Sequence, residues 1–374
     1  MDDRLATILR RFRDFAEEFA HLPLYGALAR RLAQDREAAA LLLEAQPGQD
    51  RPVLWFAAVH DLVLRRPDLP AARWYASVVE RDSVPVGDPW PDVRATALAH
   101  REELAGLIAT RLTQTNEVNR SVYLAAGLVA ATHDQHPGTD NAITLVELGA
   151  SAGLLLGVDR YAIAVDRQGV QAVAGDPLSP VRCEGTDRSL VAVRLDELPR
   201  IAGRAGVDRN PIRLDDDAGL RWLTACLWPD VPGRVERFRA AVELMRREPP
   251  PVVQGDFVDG LEKAVAAALG PAASTSHLVV FSSWALTYAD RARRSELADR
   301  LDALAREVPA LSWLTAEPPG AIPGIPVPRG VREDAGGTVL GLRQWRDGVE
   351  QEGLALGTCH PHGEWIDLDE MPSG

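Results

Sequence analysis

The sequence predicts an α/β protein in which a helical N-terminal layer precedes a sheet of seven mostly parallel strands with helices on both faces. In about the first 135 residues, apolar side chains recur at helical spacing, and no segment has a convincing strand pattern. From residue 143 onward, short β-branched and aliphatic runs alternate with helical patterns. The last two strand candidates lie close together in sequence, which is typical of an antiparallel edge on a parallel sheet. We therefore expect a helical part over residues 1–135 and a sheet-based part over residues 136–374.

The composition restricts the classes of partner. In 374 residues, 41 Lys and Arg face 54 Asp and Glu, and the formal net charge of −13 argues against nucleic acid or an anionic membrane as partner. Three widely spaced cysteines, Cys183, Cys226 and Cys359, fit neither a disulfide framework nor a cysteine-based zinc site. No apolar run of membrane-spanning length and no signal-peptide core occurs. We expect a soluble, cytoplasmic protein that acts on a small molecule without a bound metal, and its oligomeric state stays open.

The stretch from Ile143 to Val158 organises the prediction. An aliphatic run ends at Leu148, Gly149 and Gly153 bracket three small residues, and leucines resume at Leu154, which is the pattern of strand, tight turn and helix. Glycines there let a ligand approach the backbone, and the N–H groups at the helix start are expected to point outward with a partial positive charge. A turn whose small residues serve packing alone is the alternative.

Two more specific interpretations compete for this turn. Glu147-x-Gly149-x-x-x-Gly153 resembles the first-strand motif of class I S-adenosylmethionine-dependent methyltransferases, with an acidic residue two places before the first glycine. Gly149-Ala-Ser151-Ala-Gly153 also matches G-x-S-x-G, the nucleophile elbow of α/β-hydrolases, with Ser151 as nucleophile. A hydrolase needs several strands before its nucleophile strand, so the helical N-terminal part favours the methyltransferase.

The methyltransferase resemblance implies an acidic residue at the end of the second strand, which binds the ribose hydroxyls. Asp166 has the usual distance from the glycines, but Asp208 has the better context and is preferred, with an inserted hairpin at about residues 160–198 between them. The resemblance also assigns Asp256, in Gly-Asp-Phe, to the adenine amino group and Phe257 to the face of the ring. Asp208 as a simple turn or cap residue is the alternative.

Two further groups of residues are predicted to bind or turn over the substrate. Gln114-Thr-Asn-Glu-Val-Asn-Arg120 contains more polar side chains than a helix cap needs, so Gln114, Asn116, Glu117 and Arg120 are substrate candidates. Ser282, Trp284 and Tyr288 follow a buried-strand pattern and are expected at the carboxyl end of the sheet. His360 and His362 are candidate general bases, with a structural turn and a metal pair as alternatives. In the hydrolase interpretation, Ser151, then Asp256 or Asp290, then His360 or His362 follow the expected triad order.

Together, the Gln114–Arg120 segment, the glycine turn, Gly206-Val-Asp-Arg-Asn-Pro211 and His360-Pro-His-Gly363 resemble a bacterial family known only as a domain of unknown function. The resemblance implies a methyltransferase-like Rossmann core and no established substrate. We therefore predict a methyltransferase that uses S-adenosylmethionine as cofactor and modifies an oxygen or nitrogen of a small molecule. A serine hydrolase and a non-catalytic nucleoside-binding protein are the alternatives.

Overall fold

The computed structural model describes residues 2–133, 142–270, 277–331 and 337–369. The chain divides into two compact units, the first made of Met1–Asn116 with Asp215–Arg239 and the second of Glu117–Leu214 with Ala240–Gly374. This division differs from the predicted one near residue 135, because the segment 117–133 belongs to the second unit and a later segment returns to the first. In the described part of the chain, no helix is long and apolar enough to cross a bilayer.

The first unit is helical. Its helices are α1 (Asp2–Glu18), α2 (Tyr25–Leu32), α3 (Arg36–Ala39), α4 (Pro52–Arg65), α5 (Trp90–Ala99), α6 (Arg101–Thr110), α8 (Asp217–Cys226) and the start of α9 (Arg234–Met245). The helical spacing predicted for α1 is confirmed, since Ile8, Phe12 and Phe15 are buried on one face. No strand occurs among the described residues of this unit.

The second unit contains a twelve-stranded sheet, so the prediction of seven strands is wrong. The strands are β1 (Ala142–Leu148), β2 (Ala162–Arg167), β3 (Val170–Gly175), β4 (Arg182–Asp187), β5 (Arg200–Asp208), β6 (Val252–Gln254), β7 (Leu278–Ser283), β8 (Ala310–Glu317), β9 (Thr338–Arg346), β10 (Val349–Glu350), β11 (Leu354–Cys359) and β12 (Trp365–Leu368). Their order is β3-β2-β4-β12-β11-β9-β8-β7-β1-β5-β6, and β10 pairs with β9. The predicted hairpin is confirmed as β2 and β3. It extends the main sheet, because β2 pairs in parallel with β4 and β4 pairs in parallel with β12.

One half of this sheet is entirely parallel. It runs β6-β5-β1-β7-β8, with β1, the first strand in the described part of the chain, at its centre, later strands on both sides and β9 antiparallel to β8. Every residue of β1 is buried, which is expected of a strand covered on both faces. The order of the strands reverses at β1, and in open α/β sheets ligands bind beyond the carboxyl ends of the strands at such a switch point.

Helices pack against both faces of this parallel half. On one face, α10 (Leu261–Leu269) and α11 (Arg291–Leu304) share an apolar cluster with Trp313 of β8. On the other face lies α7 (Ser121–Thr132), where Gly127 permits a close approach because an added Cβ would lie 2.7 Å from Leu314. Neighbouring residues of a strand point to opposite faces of the sheet. Trp313 therefore faces the layer of α10 and α11, and Leu314 faces the layer of α7.

Candidate functional site

The glycine turn folds back onto the end of β5. The backbone N–H groups of Gly149 and Ala150 donate to the carbonyl of Val207 (2.8 and 3.1 Å), and the Gly153 N–H donates to the Ala150 carbonyl at 2.7 Å. The Ser151 N–H donates to Oδ2 of Asp208 at 2.8 Å. The expectation that these N–H groups point outward to a ligand is therefore wrong for four residues of the turn.

The helix after the turn differs from the predicted one. Leu155–Arg160 forms a six-residue 3-10 helix and not an α-helix, so no long helix presents its N-terminus here. Gly149, Ser151 and Gly153 have φ of 76°, 53° and 70°, in the left-handed region that favours glycine. The small residues are thus required by a tight return of the chain, and Ser151 is strained.

Only the first residue of the turn is open. Gly149 is exposed, whereas Ala150, Ser151, Ala152 and Gly153 are all buried. An added Cβ on Gly149 would lie 2.6 Å from the Cβ of Ala285, in the loop that follows β7. A ligand that uses bare backbone here can approach only at Gly149, beside this loop.

Two carboxyl groups flank Gly149. Asp208, at the end of β5, is half-buried, and its second oxygen accepts from the Asn210 N–H at 2.8 Å. Glu147 is only 5% exposed, and its Oε2 has no hydrogen-bond partner among the residues that the structure describes. Burial raises the pKa of Glu147 well above its ordinary value, Asp208 raises it further and Arg120 opposes the shift. A buried carboxyl with an unsatisfied oxygen is costly, so it is a candidate for a binding role.

Asp166, the alternative to Asp208, lies elsewhere. It belongs to β2 and accepts the Gly169 N–H at 3.3 Å within its own hairpin, and seven strands separate β2 from β5 in the sheet. The structure therefore brings Asp208 to the glycine turn and leaves Asp166 far across the sheet.

Asp256 and Phe257 have surroundings that the sequence did not suggest. Oδ2 of Asp256 accepts from Nε and Nη2 of Arg209 (3.1 and 2.5 Å), while Oδ1 accepts from Arg293 at 2.6 Å and the Val258 N–H at 3.0 Å. Burial alone would raise the pKa of Asp256, but these hydrogen bonds lower it. All four lone-pair positions of the carboxylate are occupied, and Phe257 is 7% exposed within the apolar cluster of α10. This leaves no acceptor on Asp256 for an adenine amine.

Two motifs that the sequence presented separately are joined. The Arg120 guanidinium donates from Nε to the Pro361 carbonyl at 3.0 Å and from Nη1 to the Ser283 carbonyl at 3.2 Å. Asn119 donates from Nδ2 to the Gly363 carbonyl at 3.0 Å. The guanidinium of Arg120 therefore links the His360–Gly363 turn to the end of β7, while its Nη2 makes no hydrogen bond within the described part of the chain.

The other members of the Gln114–Arg120 segment are divided. Glu117 accepts the Asn119 N–H at 3.1 Å and caps the short 3-10 helix Val118–Arg120, the local role that a cap interpretation predicts. Gln114 and Asn116 belong to the first unit. Asn119 was not singled out from the sequence, although it lies inside the polar motif.

The His360–Gly363 turn is compact. The rings of His360 and His362 lie 5.7 Å apart between centroids, and the His362 N–H donates to Nδ1 of His360 at 3.3 Å. Gly363 has a φ of 77°, and an added Cβ would lie 2.1 Å from the Asn119 carbonyl oxygen. Across the four described ranges, no cluster of three or more His, Cys, Asp and Glu residues is arranged to hold a metal ion.

The loop after β7 contains the remaining predicted residues and one that was missed. Ser282 is fully buried, Tyr288 is exposed, and Trp284 has a φ of 54° while its indole N–H donates to Thr338 at 2.8 Å. Glu317, the last residue of β8, is 1% exposed and accepts the N–H groups of Ala285 and Leu286 at 3.0 and 3.2 Å. The signal for Glu317 was an acidic residue that ends a strand pattern with no other charged residue, Ala310-Leu-Ser-Trp-Leu-Thr-Ala-Glu317.

Exposed Gly149, the carboxyl groups of Glu147 and Asp208, and the Arg120 guanidinium thus belong to the carboxyl-end region of one parallel sheet. This arrangement defines the chain as an α/β protein with a polar site at the switch point of its sheet. The chain belongs to the family described as "uncharacterized protein conserved in bacteria (DUF2332)", whose profile matches residues 9–368. No curated protein matches it significantly.

Proposed function

We propose that this protein is an S-adenosylmethionine-dependent methyltransferase that acts on an oxygen or nitrogen of a small molecule. The observation that carries the proposal is the order β6-β5-β1-β7-β8, in which the central first strand ends at Glu147-Leu-Gly149 and its neighbour ends at Asp208. A nucleoside cofactor needs an exposed glycine after the first strand and a carboxylate at the end of the next strand, both at the switch point of the sheet. Gly149 and Asp208 occupy these positions.

Asp208 is the proposed ribose ligand. Its side chain already accepts the Ser151 and Asn210 N–H groups, one on each oxygen, so the carboxylate is held in place next to Gly149. Each carboxylate oxygen has two lone pairs, and one on each remains to accept from the two ribose hydroxyls. Asp256 and Phe257 are left out of the proposed site because the carboxylate is saturated and the ring is buried.

Glu147 and Arg120 are proposed to receive the amino-acid end of the cofactor. The unsatisfied Oε2 of Glu147 suits an ammonium group, and the uncommitted Nη2 of Arg120 suits a carboxylate. Because burial raises the pKa of Glu147, arrival of a cation would favour its ionised form. Cofactor binding should therefore release a proton at any pH at which Glu147 is protonated in the free protein.

The transfer itself would rely on positioning and exclusion of water, with His360 or His362 taking the proton of the acceptor. Gln114, Asn116, Glu117, Ser282, Trp284 and Tyr288 stay predicted substrate residues. The acceptor is a small molecule of unknown identity, and no described contact selects it.

One observation favours the hydrolase as second candidate. Ser151 has a φ of 53°, as a strained nucleophile elbow requires. Against it, Ser151 is 7% exposed, the N–H groups of Gly149, Ala150 and Ser151 are already donated, and β1 is the first strand among the described residues. A nucleophile needs an open hydroxyl and free oxyanion donors, so the methyltransferase is preferred.

The test is titration calorimetry with S-adenosylmethionine on the wild type, Asp208→Asn and Asp166→Asn. Both aspartates accept a backbone N–H, so the two variants make matched changes at the two ends of the sheet. We expect Asp208→Asn to weaken binding at least about tenfold, the loss of one charge-assisted contact, and Asp166→Asn to bind as the wild type does. Proton uptake or release is measured from the same titration in buffers of different ionisation enthalpy.

Absence of binding to the wild type would contradict the proposal. Labelling of Ser151 by a fluorophosphonate, lost in Ser151→Ala, would replace it with the hydrolase. Binding without methyl transfer to any acceptor would favour the non-catalytic nucleoside-binding protein.

A further inference from the structure

The outer strand β3 leaves one of its edges unpaired. It pairs on one side with β2 through a two-residue turn at Gln168-Gly169, and no strand pairs with its other side among the described residues. Residues that flank such a turn bond to each other, and bonding alternates along the strand. Gln171 and Val173 therefore direct their N–H and C=O groups outward.

This edge lacks the usual protection. Sheet edges are normally blunted by charged residues, proline or a bulge. The strand Val170-Gln-Ala-Val-Ala-Gly175 has none of these, and its register with β2 runs without a break. In a chain with a net charge of −13, a neutral six-residue edge can meet another copy of itself without charge repulsion.

Apolar side chains are exposed along this strand and beyond its end. Val170 and Val173 of β3, and Leu178, which follows it, have exposures from 58% to 91%. Exposed apolar patches of this kind mark interaction surfaces.

We propose that a second copy of this chain pairs with β3 in antiparallel orientation, with Ala172 on the twofold axis. In this register Gln171 of one copy faces Val173 of the other, and both residues have outward N–H and C=O groups. Four backbone hydrogen bonds result from the two symmetric pairs. A register shifted by one residue would set outward groups against groups already bonded to β2. A register shifted by two residues would pair Gln171 with Gly175 or Val173 with Gly169, and the φ of 74° and 85° at these glycines departs from extended backbone, so the axis at Ala172 is preferred.

The same symmetry matches the apolar ends. An antiparallel twofold brings the Val170 end of β3 in one copy toward the Leu178 end in the other. Six residues of strand span only about 20 Å, so these side chains must supply part of the buried area of a stable dimer. The dimer does not depend on the proposed chemistry of the switch-point site.

The register is tested by disulfide cross-linking of Ala172→Cys, with Gln171→Cys as matched control, both in a Cys226→Ser background. On the axis, Ala172 faces its own symmetry mate as a non-hydrogen-bonded pair with a Cα separation of about 4.5 Å, within disulfide range. Gln171 lies roughly 9 Å from its symmetry mate, beyond that range. We expect rapid oxidation to a covalent dimer for Ala172→Cys alone, and equal rates in the two variants would overturn the proposed register.

The dimer itself is tested by light scattering during size-exclusion chromatography at micromolar concentration. We expect twice 40.6 kDa for the wild type and 40.6 kDa for Val173→Lys, with unchanged circular dichroism. If Val173→Lys fails to fold, Gln171→Lys makes the same test at another exposed position of the strand. A monomeric wild type, a dimer that both lysine variants leave intact, or a complex with a different protein in place of the dimer would each overturn the proposal.

Discussion

The carboxyl group of Glu317 is almost completely buried. It is 1% exposed, one oxygen accepts two backbone N–H groups, and the other has no partner among the described residues. Burial raises the pKa of Glu317 from 4.5 to about 7, against the opposing effect of the Leu286 and Ala285 N–H groups. The native state therefore binds more protons at this group than the unfolded state does between pH 4.5 and 7.

This shift predicts a pH dependence of stability. The free energy of unfolding should fall as pH rises from about 4.5 to 7, because ionisation is less favourable in the folded protein. The contribution of Glu317 is about 3 kcal/mol over that window, at 1.4 kcal/mol per pKa unit. Urea unfolding at several pH values should show a smaller decrease for Glu317→Gln than for the wild type.

The control is Glu307→Gln, which removes a carboxyl group at an exposed position and should leave the wild-type profile unchanged. Glu147 stays in every variant, so its own contribution cancels in the comparison. Parallel profiles for the wild type and Glu317→Gln would show that Glu317 does not titrate as its burial requires.

At the residue scale, the sequence indicated some of the polar positions but not their partners. Gly149 and Asp208 could be selected because each follows an apolar run, and Arg120 because it lies in an unusually polar segment. Arg209 and Arg293 could not, since arginines on a charged surface are common and only the fold brings both to Asp256. The expectation that the N–H groups of the turn point outward was wrong for the same reason. Their acceptor, the Val207 carbonyl, lies about 57 residues further along the chain, and only the fold brings it to the turn.

At the scale of elements, the turn His360–Gly363 is held by the segment that precedes α7. Gly363 has positive φ and almost touches Asn119, so an alanine there meets two penalties. The left-handed backbone costs about 1 kcal/mol, and overpacking against a backbone carbonyl costs a further 1–3 kcal/mol. We expect Gly363→Ala to lower the free energy of unfolding by about 3 kcal/mol in denaturant titration.

Gly330 is the matched control for this substitution. Its φ of 83° is close to that of Gly363, but nothing lies within 4 Å of an added Cβ. Gly330→Ala should cost only the backbone strain of about 1 kcal/mol. Equal losses for the two variants would mean that Asn119 does not constrain the turn.

The elements differ in how well the sequence predicted them. The hairpin β2–β3 was predicted because the alternation of apolar and polar residues, with Gly and Asp around the turn, is a local signal. The turn itself was predicted at Arg167-Gln168 and lies one residue later, at Gln168-Gly169. Its place in the main sheet was not, because β4 and β12 pair over two residues that are about 180 positions apart. The α-helix predicted after Gly153 was wrong: its leucines are buried all round a short 3-10 helix, so aliphatic residues gave no periodic face to distinguish the two.

At the scale of the whole molecule, the boundary near residue 135 followed from the change between helical and strand patterns. The positions of two helices, α7 and α8, contradict this boundary. The buried helix α7 packs on β8 in the second unit, and α8 contributes Trp222 to the apolar core of the first unit. Packing partners, not local periodicity, decide where the units divide, and a single sequence does not reveal them.

This division predicts which fragment folds. Fragment 136–374 lacks α7 and keeps α8 without its core, so apolar faces of both units become exposed and it should aggregate. Fragment 117–374 with residues 215–239 replaced by a flexible Gly/Ser linker should be monodisperse, apart from any dimer, with cooperative unfolding. The replacement is feasible because the Leu214 carbonyl accepts from Arg246 at 2.6 Å, and Ala240 lies only six helical residues, about 9 Å, before that arginine. Soluble expression and thermal unfolding of the two fragments measure this difference. A well-folded fragment 136–374 would mean that the second unit begins after α7, in which case α7 adds little to the stability of the sheet.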